Sequence, residues 1–157
     1  MTFITIGQYF NKLHSGLFTL LIIPVMVFSA LYFFVGGKEP DPRMEYYLIV
    51  GTAVLLDWAM AMVIFNKKIK SARNEQGLGA KLDKYFKITI VRYGILSSAS
   101  LMLALGLYLT RSDFFTAMYV AGLIFSGTLW PTGRKVSEDL RLRGDERQMV
   151  YFKKDKW

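Results

Sequence analysis

The chain contains no cysteine, one histidine and four prolines among its 157 residues. Without cysteine it can form neither a disulfide nor a thiolate metal site, and thiol catalysis is excluded as well. The single histidine, His14, cannot supply a bis-histidine haem site, and a metal centre normally needs further ligands. The sequence therefore predicts no metal site and no cofactor.

Motifs that would name a reaction are also missing. There is no HExxH pair, no nucleophile elbow and no arrangement of paired carboxylates for acid–base catalysis. The short run Gly77-Leu78-Gly79 is too brief to form a phosphate-binding loop. The sequence therefore predicts a protein that is not an enzyme.

Four long apolar segments dominate the chain, in which 53% of the residues are hydrophobic. A helix needs about 20 residues to cross a hydrocarbon core of about 30 Å, and each segment is close to that length. This pattern predicts an all-α integral membrane protein that forms one domain, a four-transmembrane-helix up-down bundle. The predicted spans cover residues 17–35, 46–65, 88–109 and 114–130 of the domain 1–157.

The basic residues are distributed unevenly between the two sides of such a bundle. Sixteen of the twenty lysines and arginines fall in the N-terminal segment, the loop 66–87 or the tail 131–157, and three fall on the other side. Because lysine and arginine accumulate in cytoplasmic loops, both termini and this loop are predicted to be cytoplasmic. We expect a multi-pass protein of the cell membrane, which in a bacterium is the inner membrane.

The net charge of +8 also bears on the binding partners. No aromatic stacking platform or nucleic-acid module accompanies the basic residues, so we expect no binding of nucleic acid. Juxtamembrane lysines and arginines attract anionic lipid headgroups at about 1 kcal/mol each. Contacts with anionic headgroups on the cytoplasmic side are predicted for Lys67, Lys68, Lys70, Arg134 and Lys135.

The two halves of the chain resemble each other weakly. At an offset of 76 residues, Tyr9-Phe10 aligns with Tyr85-Phe86, and Gly51-Thr52 aligns with Gly127-Thr128. Two tandem helical hairpins would produce this pattern. Two unrelated hairpins of similar length would share such residues by chance, so both explanations stay open.

Short amphipathic segments flank the spans at both cytoplasmic termini. In the tail, Pro131 closes the fourth span, and Val136 and Leu140 then share one helix face. We expect short interfacial helices at both termini, with the tail covered either by lipid or by a partner protein. The N-terminal segment would present to the bilayer Phe3, Ile4, Ile6, Phe10 and Leu13.

The third and fourth spans differ in surface from the first. They carry small residues four positions apart, which let helix backbones approach closely in lipid. The first span is bulkier around Pro24 and is predicted to face lipid over more of its surface. The small pairs are Gly94 and Ser98, Ser100 and Ala104, and Gly122 and Ser126.

Only two ionisable residues, Asp57 and Arg92, lie well inside the apolar segments. A charged side chain at membrane depth is costly and usually faces the interior of the bundle. Counted from the cytoplasmic ends of their spans, Asp57 lies about 13 Å deep and Arg92 about 9 Å deep. Because the two spans are consecutive and antiparallel, we predict an ion pair between these residues.

This pair leads to two functional hypotheses. If it is structural, the chain is a scaffold or accessory subunit of a larger or homo-oligomeric membrane complex. If Asp57 titrates or binds a cation, the chain is a small oligomeric transporter or channel that uses Asp57 and Arg92, with a polar path along Ser97, Ser98 and Ser100. The first is favoured, because a partnered carboxylate stays ionised and helical hydroxyls more often bond to their own backbone.

Overall fold

A computed structural model of the chain describes residues 5–35, 39 and 44–153. Within that part of the chain all regular structure is helical and no strand occurs. The helices are α1 (Ile6–Val35), α2 (Met44–Arg73), α3 (Leu78–Thr110), α4 (Asp113–Thr128), α5 (Gly133–Asp139) and α6 (Gly144–Phe152).

The length and composition of these helices indicate a helical membrane protein. Three of them, α1, α2 and α3, are long and apolar enough to cross a membrane. A fourth span results if α4 and α5, which are bent by 76° relative to each other, are counted together. The structure therefore supports three to four membrane-spanning helices.

The first three helices extend well beyond the apolar segments. They contain 30, 30 and 33 residues, so α3 is about 50 Å long at 1.5 Å per residue. The extra length lies at the end where α1 begins, α2 ends and α3 begins, which we call the basic end. Most of the predicted loop 66–87 is therefore helical, and only residues 74–77 connect α2 to α3.

The central helix is α3, which packs against α1, α2 and α4. In its most apolar stretch 50% of the residues are buried, compared with 17% in α1 and 22% in α2. Gly106 lies against the Phe115 ring and the Tyr93 hydroxyl reaches Ser126, so α3 and α4 run in opposite directions. The bulky first helix has the smallest buried share of the three, and its exposure to lipid stays a prediction.

The terminal segments pack against the chain itself. α1 begins at Ile6 and continues without a break, so among the described residues no separate helix precedes it. Phe3 and Ile4 lie outside the described residues. In the tail, the apolar side chains of α5 and α6 join the core that the extended ends of α1, α2 and α3 form. These buried side chains include Val136, Leu140 and Val150.

Interfacial helices at the termini stay a prediction. The buried apolar side chains of the tail are covered by the helices at the basic end, whereas Tyr151 and Phe152 are 45% and 57% exposed. Ile69 on α2 and Leu82 on α3 belong to the same buried cluster as Val136. The segment of the chain that looks amphipathic is therefore part of the folded core.

Candidate functional site

Arg92 is buried at the junction of α3 and α4, and its side chain is 1% exposed. Its Nη2 donates a hydrogen bond of 3.0 Å to the Leu129 carbonyl oxygen. Its Cζ lies 3.9 Å from the centre of the Phe65 ring, a cation–π contact that is worth about 2 kcal/mol or more when desolvated. Arg92 is thus held by contacts with α2 and with the segment that follows α4.

The early end of α4 explains why donors gather at this position. α4 has 16 residues and is about 24 Å long, shorter than a hydrocarbon core of about 30 Å. Backbone N–H groups satisfy two of its last carbonyl groups, since Leu129 N donates to Ser126 at 3.2 Å and Trp130 N donates to Gly127 at 3.1 Å. The carbonyl groups of Thr128, Leu129 and Pro131 need donors from other parts of the protein. Side chains from α1, α3 and α5 supply these donors.

Four side chains donate to the carbonyl oxygens of this segment. The pairs are Tyr93 Oη to Ser126 at 2.8 Å, Lys135 Nζ to Thr128 at 2.6 Å, Arg92 Nη2 to Leu129 at 3.0 Å and His14 Nε2 to Pro131 at 3.1 Å. Cations near a helix C-terminus are also favoured by the helix dipole. Arg92 and Lys135, the two charged residues in this group, therefore help to close the end of α4.

Asp57 lies elsewhere, at the edge of the buried stripe of α2, and is partly exposed. Its Oδ2 is 3.3 Å from the Ser98 hydroxyl, which also lies 2.8 Å from the carbonyl oxygen of Ile95. No ion pair joins Asp57 to Arg92 in the part of the chain that the structure describes. The structure therefore does not bring the two predicted site residues together.

The helix register explains the separation. Asp57 is level with Ser98, which lies six residues beyond Arg92 along α3, or about 9 Å. Depths counted from the ends of the apolar segments differ by only about 4 Å, because hydropathy does not show how α2 and α3 align. Arg92 also faces α4, whereas Asp57 contacts the exposed side of α3.

The three serines of α3 do not line one path. Ser97 and Ser100 are buried and Ser98 is exposed. Neighbouring positions on a helix are rotated by about 100°, so these hydroxyls point in different directions. Ser100 donates to the carbonyl oxygen of Leu96, one turn earlier on its own helix. Only Ser98 contacts Asp57.

The residues predicted to contact lipid headgroups lie at the basic end. Lys67, Lys68, Lys70 and Arg134 are exposed, and Lys135 is partly exposed. Arg134 forms an ion pair of 2.8 Å with Glu138, and Lys135 donates to Thr128 as described above. The exposed positions are compatible with contacts to anionic headgroups, which stay a prediction.

Polar contacts attach the tail to the basic end. The Tyr85 hydroxyl donates to Asp139 at 2.9 Å, and Arg73 Nε donates to the Asp139 carbonyl oxygen at 2.6 Å. Lys81 on α3 and Glu146 on α6 form an ion pair of 2.7 Å. The sequence pattern does not predict this contact of Tyr85.

Residues that could hold a metal or a cofactor do not cluster in the described part of the chain. No group of three or more histidine, aspartate or glutamate side chains occurs there in a geometry suited to a metal ion. Comparison with models of protein families, with curated proteins and with solved structures finds no match to this chain. Its function must therefore be inferred from its own geometry.

The separation of Asp57 and Arg92 has a measurable consequence. Substitutions at residues without shared partners change stability additively, within about 0.3–0.5 kcal/mol. We measure the free energy of unfolding in detergent for Asp57→Asn, Arg92→Gln and the double variant. The change in the double variant is expected to equal the sum of the two single changes within this margin. A coupling well above 1 kcal/mol would show that the residues interact.

Proposed function

We propose that this chain is a small membrane scaffold or accessory subunit that packs, through the exposed side of α2 and α3, against another chain in a larger or homo-oligomeric complex. It is not an enzyme in this proposal. All four long helices cross the membrane, with residues 129–131 completing the short fourth span. Both termini lie on the cytoplasmic side, where most of the basic residues are.

The position of Asp57 is the observation that carries the proposal. Asp57 is 13 residues from the start of α2 at Met44, or about 20 Å along a helix that crosses a core of about 30 Å. It is partly exposed on the outside of the chain, next to the exposed Ser98. Because a carboxylate that faces lipid is costly, such a residue is expected to be covered by protein.

The geometry gives less support to the transporter or channel alternative. That alternative needs Asp57, Arg92 and the three serines to share one polar path. Arg92 is enclosed between Phe65 and the end of α4, and Asp57 lies on the outer surface. A binding surface is the simpler role for an outward carboxylate at this depth.

The test is the mass of the particle that contains this chain in its native membrane. Membrane patches extracted with a styrene–maleic acid polymer are analysed by native mass spectrometry. We expect an assembly clearly heavier than the 18.0 kDa chain for the wild type. Asp57→Asn is expected to shift the population towards the single chain, because it removes the charge at the interface.

Asp113→Asn is the matched control, since Asp113 is an exposed carboxylate at the start of α4. It should leave the assembly as heavy as the wild type. A wild-type chain that occurs only as a monomer in these patches would contradict the proposed function.

A further inference from the structure

A surface of small residues on α3 lies beside Asp57. Gly94 and Ser98 are one turn apart on the same face of this helix. A methyl group added at Gly94 would meet nothing within 4 Å, and Ser98 is exposed. We call the surface formed by Asp57, Gly94 and Ser98 the α2–α3 notch.

The surroundings of the notch are apolar. On α2, Leu56 is 61% exposed and Met60 is 47% exposed; on α3, Leu101 and Leu105 are 39% and 52% exposed. Small residues in a membrane helix let a second helix approach closely. The notch therefore combines small residues, an apolar border and one carboxylate, a combination that allows a transmembrane helix to approach closely.

The charge of the notch indicates what that helix carries. Asp57 accepts a hydrogen bond from Ser98, at 3.3 Å, but ionisable groups at membrane depth normally also pair with an opposite charge. Within the apolar segments the only cation of this chain is Arg92, which is buried and bound to Leu129. The nearest lysine on α2, Lys67, is ten residues from Asp57, or about 15 Å towards the basic end.

A second copy of the chain does not meet this need. Two copies with the same orientation in one membrane have their charged groups at the same depths. The copy would bring another Asp57 to this level, together with an Arg92 that is already enclosed. The charge of the notch therefore favours a different protein.

We propose that the α2–α3 notch binds a transmembrane helix of a different protein, and that this helix carries a lysine or arginine at the depth of Asp57. The cation pairs with Asp57, while Gly94 and Ser98 allow the two helix backbones to approach. This inference rests on the proposed function, because it names the kind of partner that the accessory subunit binds.

A designed peptide provides the test. One peptide is a leucine–alanine helix long enough to span the bilayer. It carries a single lysine about 20 Å from the end that lies opposite the basic end, which is the depth of Asp57. A second peptide has glutamine at that position. Both are incorporated with the full-length chain into phosphatidylcholine vesicles, whose lack of net charge removes headgroup attraction. Association is measured by energy transfer between labels on the peptide and the chain.

The lysine peptide is expected to associate roughly three- to thirty-fold more tightly than the glutamine peptide, the range typical of polar contacts between membrane helices. Asp57→Asn should abolish this difference, Asp57→Glu should retain most of it, and Asp113→Asn should leave it unchanged. Circular dichroism of each variant establishes that the helices are intact.

Two results would overturn the inference. One is equal association of the two peptides with the wild type, or a preference for lysine that persists in Asp57→Asn. The other is self-association of the chain, measured between labelled copies, that is lost in Asp57→Asn and is not displaced by the lysine peptide. That result would assign the notch to a second copy. Either result leaves the proposed function standing if the native particle is still an assembly, whereas a monomeric native particle refutes the proposed function itself.

Discussion

Arg92→Ala is expected to lower the free energy of unfolding by about 3–5 kcal/mol, the cost of truncating a large buried side chain. The Arg92 side chain is 1% exposed and fills the space between the Phe65 ring and the segment after α4. Its removal also leaves the Leu129 carbonyl oxygen without its donor. Removing a desolvated charge offsets part of this loss. The change is measured by reversible unfolding of the purified protein in detergent.

Arg92→Met separates volume from hydrogen bonding in the same experiment. Methionine fills most of the space but cannot donate to Leu129, so we expect a smaller loss of about 1–3 kcal/mol, the cost of an unsatisfied buried acceptor. Arg134→Ala serves as the control for removing a positive charge, because Arg134 is exposed and should matter little. If Arg92→Met is as stable as the wild type, the end of α4 does not depend on this arginine.

Gly133→Ala is expected to detach α6 from α5. A methyl group added at Gly133 would lie 2.7 Å from the Val150 carbonyl oxygen and 3.1 Å from that of Tyr151. Both are backbone atoms of α6, so they cannot move aside as a flexible side chain can. Overpacking of this kind costs about 1–3 kcal/mol. We expect faster trypsin cleavage at Arg143 and Arg147.

Gly79→Ala is the matched control for this experiment. Gly79 lies in the first turn of α3, and a methyl group added there would meet nothing within 4 Å. Alanine is favoured over glycine in a helix by about 0.5–1 kcal/mol, so this variant should be as resistant to trypsin as the wild type, or more so. Equal cleavage of the two variants would show that α6 does not pack closely on Gly133.

The membrane helices could be predicted from the sequence, but their extent at the basic end could not be predicted from hydropathy. The lysines between residues 66 and 87 lower the mean hydropathy, yet all of them lie within α2 or α3, where they are exposed or partly exposed. The spacing of the apolar residues in this region does indicate helices. Ile69 and Ala72 are buried three residues apart on α2, and Leu82 and Tyr85 are buried three apart on α3. This spacing is typical of a helix face that packs on a core.

The candidate site was identified by residue but not by geometry. Asp57 and Arg92 stand out because charges at membrane depth are rare, yet the register of two helices decides whether such residues meet. A shift of one residue along a helix rotates a side chain by about 100°. One feature of the sequence, Pro131, indicates the role of Arg92. A proline prevents a helix from continuing, so the fourth helix must end before residue 131 and leave carbonyl groups that need donors.

The central claim is that protein, not lipid, covers the exposed side of α2 and α3 in the native membrane. A photoreactive benzophenone amino acid placed at Met60, a large residue at the border of the notch that is 47% exposed, tests it directly. The same group at Ile124 is the control, because Ile124 is 65% exposed on α4. After illumination of native membranes, we expect the Met60 position to cross-link to a different polypeptide and Ile124 to give mainly lipid adducts. Asp57→Asn should strongly reduce the protein adduct at Met60. Lipid adducts at Met60 as abundant as those at Ile124, with no protein adduct, would contradict the claim.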